Sequence, residues 1–243
     1  MPKKSRKERE REQRKKEILD SAEKLFFKSG YDNVSMNDIA NDVELNKATL
    51  YLYFNNKEEL FFATVLRGVE IMISMIEDEV SESEDSVEAI LTFIHTYNQF
   101  VLSYPDYYGI YTYFQSGRFD LEEIVNKSYL EEINNNARHY NTLITWSYLH
   151  LDYTSPYALE ILNIRSKVFK ILTDTIKKGI EEGSIRKNLN PTETAVMMIL
   201  MVESVQNIKP DFMKVLEFNG TNREQFKDYL EQSIKYLILN NEN

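Results

Sequence analysis

The sequence predicts an all-α protein, and three observations carry that expectation. Glycine and proline, the residues that interrupt helices, number only 7 and 5 in 243 residues. Apolar residues recur at helical spacing nearly throughout. No segment alternates apolar and polar residues over a useful strand length, and no tandem repeat occurs. Hydrophobic residues at 42% and charged residues at 28% are ordinary globular usage, so a real core is expected rather than disorder.

The elements follow in order. Ile18, Ala22, Leu25 and Phe26 share one face of a first helix that Gly30 can terminate. Ser35 with Asp38 three residues later resembles a capping box, opening a short second helix through Ile39, Ala40 and Val43. Asn46 can cap a third helix from Lys47 to about Phe54. Asn56 with Glu59 opens a fourth, whose apolar positions include Leu60, Val65, Val69, Met72 and Ile76. Residues 81–86 are a polar break. Helical patterns resume over 87–103, stop at Pro105, and continue through 107–117 and about 121–150. A long helix is expected from Pro156 to Glu182, with Gly183 as its C-cap. Asn190, Pro191 and Glu193 form a start signal: cap, proline at the first helical position, acid at the third. A last amphipathic segment runs from about Arg223 to Leu239.

Charge and composition narrow the chemistry. The net charge is −10, yet residues 1–16 hold nine Lys/Arg and three Glu, so the rest of the chain is −16. A basic arm on an acidic body attracts nucleic acid at one end only; the bland alternative is a solvated tail. Cysteine is absent, which excludes a disulfide framework, thiolate zinc sites and cysteine nucleophiles. No apolar run approaches the ~18 residues of a membrane span, and the N-terminus has no apolar signal core, so a cytoplasmic protein with no membrane partner is expected. No phosphate-cradling glycine loop, dinucleotide fingerprint or nucleophile elbow occurs, so no enzyme activity and no cofactor are expected. His139, His150 and Asp152 could make a metal site, but scattered polar histidines explain them better, and no metal is expected.

The second and third helices are separated only by Glu44 and Leu45, the span of a helix-turn-helix. Ala40 supplies the small residue where the two helices cross, and Ile39, Val43, Leu45 and Leu50 supply the apolar contact. The third helix would then project Lys47, Ala48 and Thr49 into a major groove about 12 Å wide. An ordinary helical corner is the alternative.

The surrounding residues carry a pattern. Ile18-Leu-Asp-Ser-Ala-Glu-Lys-Leu-Phe-Phe-Lys-Ser-Gly-Tyr, then Ser35-Met-Asn-Asp-Ile-Ala, then Lys47-Ala-Thr-Leu-Tyr-Leu-Tyr-Phe-Asn-Asn-Lys-Glu-Glu-Leu60 resembles the TetR family of transcriptional repressors over about residues 16–62. The resemblance implies a basic arm (1–16), a helix-turn-helix DNA-binding domain (17–62) and a larger helical ligand-binding and dimerisation domain (63–243). It also implies a role for each motif residue. Ser35 would cap its helix and touch a phosphate, and Asn46 would cap the recognition helix. Lys47, Ala48 and Thr49 would face bases, Tyr51 and Tyr53 would contact backbone or base methyls, and Lys57 would reach a phosphate. Packing is the alternative for the two tyrosines. One position departs from the family: the turn usually carries glycine, because it needs φ > 0, and here it carries Glu44.

In the larger domain, Ala195 to Val202 is apolar on every side, so it must be buried in a core or a subunit interface. The resemblance implies an interface across a twofold axis, with Leu162, Phe169, Leu172, Ile176, Met198, Met201, Val202 and Val205 as candidates. Met72, Met75, Tyr97, Tyr108, Tyr111, Phe114, Trp146 and Phe169 are candidates to line an aromatic pocket for a small hydrophobic or cationic aromatic effector; the alternative is that they are core. The expected function is a homodimeric, ligand-released repressor of a (pseudo)palindromic operator in double-stranded DNA. A DNA-binding regulator or architectural protein without an effector is the alternative.

Overall fold

Local capping explains where the helices begin and end. In the computed structural model, which describes residues 5–119 and 155–239, the helices are α1 (Arg6–Ser29), α2 (Met36–Asp42), α3 (Lys47–Leu50), α4 (Lys57–Ser81), α5 (Ser86–Ser103) and α6 (Pro105–Gln115). After the gap come α7 (Pro156–Glu182), α8 (Pro191–Gln206), α9 (Pro210–Phe218) and α10 (Arg223–Ile238). The described residues contain no strand, only one isolated bridge between Ile185 and Leu239. The expected helix over 121–150, with Trp146, His139, His150 and Asp152, lies outside the described residues. The predicted caps are present at Ser35, Asn46 and Asn190, each accepting backbone N–H groups. Asn56 Oδ1 likewise accepts from Glu59 N at 2.7 Å.

Three elements differ from the sequence-based expectation. α1 begins at Arg6 rather than near residue 17, because Ser5 and Glu8 form a capping box ahead of the charged run. The basic arm is therefore helical from Arg6 onward. α3 ends at Leu50 rather than Phe54; the next residues turn through bonds from Leu52 N to Thr49 O and from Tyr53 N to Leu50 O. α9 is an additional helix. Its cap, Lys209, makes no side-chain bond, and the only local signal is Pro210 at the first helical position.

The described residues form two compact units. The first comprises residues 5–70 with 106–119 and 155–163. Its core is aromatic: Phe61 lies 4.9–6.2 Å between ring centroids from Phe26, Tyr31, Phe62, Tyr113 and Phe119. Polar links join α1 to α4 and α6: Arg67 meets Asp20 at 2.7 Å and Glu23 at 3.0 Å, and Tyr107 donates to Glu23 at 2.6 Å. Gly68 makes that packing feasible, since a Cβ there would fall 2.7 Å from Tyr107 Cδ1. Of the proposed pocket residues, Tyr108, Tyr111 and Phe114 are buried here, Phe114 with its ring edge-on to Phe62 at 5.4 Å. Leu162 is half-buried.

The second unit comprises residues 71–105 and 164–239, where α5, α8 and α10 pack together. Asn98 on α5 is buried and satisfied from both sides: it donates to Glu231 on α10, and Gln206 on α8 donates to it. Met72, Tyr97 and Phe169 are buried in this unit, and Met75 is half-buried. Leu172, Ile176, Met198, Val202 and Val205 are buried within the unit, and Met201 is half-exposed. The apolar residues that α8 does expose are Met197 and Leu200, at 36% and 57%.

Candidate nucleic-acid interface

The long α1 and the short α2 and α3 share an apolar interior before any functional side chain is placed. Ile18, Ala22 and Phe26 of α1, Ile39 and Ala40 of α2, and Leu50 of α3 are all buried. Ser21 Oγ donates to Asp42 Oδ2 at 2.7 Å, tying α1 to the end of α2.

The turn between α2 and α3 is a Schellman motif. Leu45 N donates to Ala40 O at 2.8 Å and Glu44 N to Asn41 O at 3.2 Å, which leaves Glu44 at φ 54°. The positive φ expected from the motif is present, on a residue with a Cβ. Such a residue in the left-handed region costs about 1 kcal/mol. Glu44→Gly relieves that strain but frees the unfolded chain by a similar amount, so its stability is expected to be unchanged or slightly raised. Glu44 is exposed at the mouth of the recognition element, so the glycine variant is also expected to bind DNA more tightly at low salt. A clearly lower melting temperature with unaltered low-salt affinity would contradict both statements.

Asn46 sets the start of α3. Its Oδ1 accepts from Thr49 N at 2.8 Å and from Thr49 Oγ1 at 2.9 Å. The Thr49 hydroxyl proton is therefore committed to the Asn46 cap, which leaves its oxygen lone pairs and methyl for a ligand. That combination suits an exocyclic base N–H or a thymine methyl. Asn46, Lys47 and Ala48 are exposed, and Lys47 Nζ lies 6.0 Å from the Tyr51 ring centroid. Tyr51 is exposed and Tyr53 half-buried, while Phe54 beside them is fully buried. The turn also presents Leu52 at 71% exposure, a residue absent from the sequence-based candidates. A signal for it exists: Leu50 and Phe54 share one face at i, i+4 and take the core, which turns Tyr51 and Leu52 outward.

Two expected phosphate contacts are already engaged within the chain. Ser35 Oγ donates to Asp38 Oδ2 at 2.6 Å and accepts from Asp38 N at 3.2 Å. Bonds from the Ser35 hydroxyl and N–H hold the Asp38 carboxyl below the usual carboxylate range. The contribution of the ionised carboxylate is present above the ordinary carboxylate pKa and is lost as pH falls through the lowered one. Lys57 Nζ donates to Tyr31 O at 3.0 Å and sits 4.0 Å from that ring's centroid. Burial pushes the Tyr31 phenol up to about 12, so the ring beneath the lysine is neutral. Lys57 is thus anchored at the first residue of α4, with its remaining N–H donors free to turn outward.

Residues 18–64 match the sequence profile of the bacterial regulatory proteins of the tetR family. The chain is similar to the biofilm operon icaADBC HTH-type negative transcriptional regulator IcaR of Staphylococcus aureus, at 31% identity over 80 residues, which are 33% of this chain and 43% of that protein. The match to IcaR of Staphylococcus epidermidis is 29% over 124 residues, 49% of this chain and 63% of the relative. The chain therefore spans about half the length of the curated relatives it matches. Among solved structures, it is similar to the TetR-family regulator PfmR from Thermus thermophilus, with TM-score 0.56 and 19% identity over 90% of this chain and 97% of that one. It is also similar to a transcriptional regulator from Saccharomonospora viridis in complex with choline, with TM-score 0.59 and 17% identity over 93% and 97%. At those identities the likeness concerns the fold. No described helix is long and apolar enough to cross a membrane.

Proposed function

We propose, from the match of residues 18–64 to the tetR-family profile, that the chain is a homodimeric transcriptional repressor of a twofold-symmetric DNA operator, released by a small molecule. The observation that supports DNA binding is the exposed pair Lys47 and Ala48, with Thr49 half-buried beside them, on a capped helix whose opposite side, at Leu50, is fully buried. Lys47 supplies a cation for a guanine edge or phosphate, Ala48 a surface that lets the helix approach closely, and Thr49 an acceptor and a methyl. Ser35, Asn46, Tyr51, Tyr53 and Lys57 surround them as caps and backbone contacts. Repression is favoured over activation because the staphylococcal relatives are negative regulators.

Two copies are needed because twofold docking places recognition helices about 34–36 Å apart, in successive major grooves. Release follows from the same requirement. α4 starts at Lys57 beside the recognition element and runs unbroken to Ser81, so a ligand that shifts its later turns alters the spacing of the two helices. The effector class is a small hydrophobic or cationic aromatic molecule, supported by the buried Tyr97, Phe169 and Met72 and by the acidic charge of the chain outside its arm. A regulator without an effector is the second reading. It is favoured by Phe114, whose ring is enclosed by Phe62 and Phe119 as an ordinary core residue is.

The test starts from a duplex selected by the protein out of a random-sequence pool. Thr49→Ala or Lys47→Ala is expected to cost about 1–3 kcal/mol on that duplex and much less on a scrambled one. Equal loss on both would reduce the two residues to phosphate contacts. Affinity measured with and without cationic aromatic compounds separates the two readings of the pocket.

A further inference from the structure

Between α8 and α10 the chain makes a closed excursion. The guanidinium of Arg223, the first residue of α10, donates to the carbonyl of Gln206, the last residue of α8, at 3.0 Å, and so ties together the two ends of residues 207–222. α9 fills that excursion, and both of its ends are set locally. Pro210 takes the first helical position; at the other end Gly220 stands at φ 80° and Thr221 N donates to Leu216 O at 2.9 Å. None of the nine residues of α9 is buried. Met213 and Leu216 are half-buried, while Phe212, Val215 and Phe218 are exposed, Phe212 at 60% and Phe218 at 94%. Helices shorter than about 12–15 residues are marginal in water without packing, so the cover that α9 lacks within its own chain has to come from outside it.

The exposed stripe has a symmetry of its own. Phe212, Val215 and Phe218 fall at i, i+3 and i+6, which puts Val215 at the centre and one ring about 4.5 Å to each side along the axis. Reversing the helix end for end leaves the order unchanged: ring, valine, ring. An isologous contact across a twofold axis asks for that property, because the same patch must complement itself. In an antiparallel pair centred on Val215, each valine meets its own copy, and Phe212 of one protomer comes level with the partner's Phe218. Like charges are kept apart in this register: Asp211, the acid nearest the stripe, comes level with the partner's Asn219. The two rings leave on the order of 300 Å² exposed per copy, so a pair would cover roughly 600 Å², more than a third of a standard interface of about 1,600 Å². A lipid surface suits this helix poorly, since its charges are Asp211, Lys214 and Glu217 in a chain of net charge −10.

We propose that α9 is a self-recognition helix, packing against α9 of a second copy in antiparallel register about Val215. This inference rests on the homodimer reading above and adds to it a contact outside the segment 162–205 in which the interface was expected.

The test uses the full chain, whose lack of cysteine lets one engineered thiol report one position. Val215→Cys, Phe212→Cys and Glu217→Cys are each oxidised in air with a copper–phenanthroline catalyst, and covalent dimer is read on a denaturing gel without reductant. A disulfide needs its Cα atoms within about 7 Å. Val215→Cys meets its own copy at the axis and is expected to cross-link in most of the protein. Phe212→Cys lies about 9 Å along the axis from its own copy, and Glu217→Cys is two positions from Val215, on the far side of the helix; both are expected to cross-link about tenfold more slowly or less. Phe212→Ser with Phe218→Ser is expected to weaken dimerisation at least tenfold by sedimentation, with unchanged helical content by circular dichroism, because no α9 residue is buried in the protomer. Equal cross-linking at Val215 and Phe212 would overturn the antiparallel register. A Val215→Cys protein that sediments as a dimer yet does not cross-link would place α9 outside the interface and overturn the proposal. A wild-type chain that sediments as a monomer would instead bring down the homodimer reading itself.

Discussion

Leu200→Glu is expected to leave the protein folded and separate it into protomers, whereas Met198→Glu is expected to unfold it. The two residues lie two positions apart on α8, at 57% and 1% exposure. A glutamate at Met198 is an unpaired charge in a closed core, which costs several kcal/mol, a large part of a typical total stability. A glutamate at Leu200 meets solvent in the isolated protomer and harms only what is buried by a second copy. Eight of the twelve exposed large hydrophobic side chains among the described residues fall between Met197 and Leu237, including Phe212, Val215 and Phe218 on α9 and Tyr229 and Tyr236 on α10. Apolar side chains left exposed on α8, α9 and α10 are what a dimer would cover. Sedimentation and thermal melts read the pair together. A Leu200→Glu protein that remains dimeric moves the interface off α8; a Met198→Glu protein with an unchanged melt refutes the burial of that side.

Phe61→Ala is expected to lower the stability of the first unit by about 3–5 kcal/mol, a melting shift on the order of 10 °C. Phe61 is fully buried and meets five other rings, from α1, the turn that follows it, α4 and the stretch around α6. Its removal opens a cavity beside Tyr31, the residue that anchors Lys57 by both ring and carbonyl. DNA affinity should fall further than the melt alone explains at temperatures where the variant is still folded. Phe61→Leu should recover most of the stability. A Phe61→Ala melt within a degree or two of wild type would mean that the cluster can collapse around the gap.

What is legible in the sequence is what local chemistry determines. Ser35 with Asp38, Asn46, Asn56 and Asn190 are caps whose partners lie within three residues, so the starts of α2, α3, α4 and α8 are readable. The Glu44 turn is readable for the same reason. The early end of α3 is not, because Leu50 and Phe54 at i, i+4 satisfy a helical pattern whether or not the backbone tightens between them. The start of α1 is hidden by its charge: without apolar periodicity, a lysine- and arginine-rich run resembles a tail, and Ser5 with Glu8 is its one structural mark. The inner side of α8 is unreadable in principle. A helix apolar all round carries no asymmetry to say which side its own chain takes and which is left over.

Because α1 is one unbroken helix from Arg6 to Ser29, its cationic end and its buried end move as a single lever. Arg6 lies about 18 Å along the axis from Ile18, where the core grips the helix. A tilt of only about 10° at that fulcrum would sweep the tip through roughly 3 Å over such a length. Small rotations of the recognition domain, too slight to disturb its own packing, would thus be magnified into the making or breaking of charge contacts at the far end.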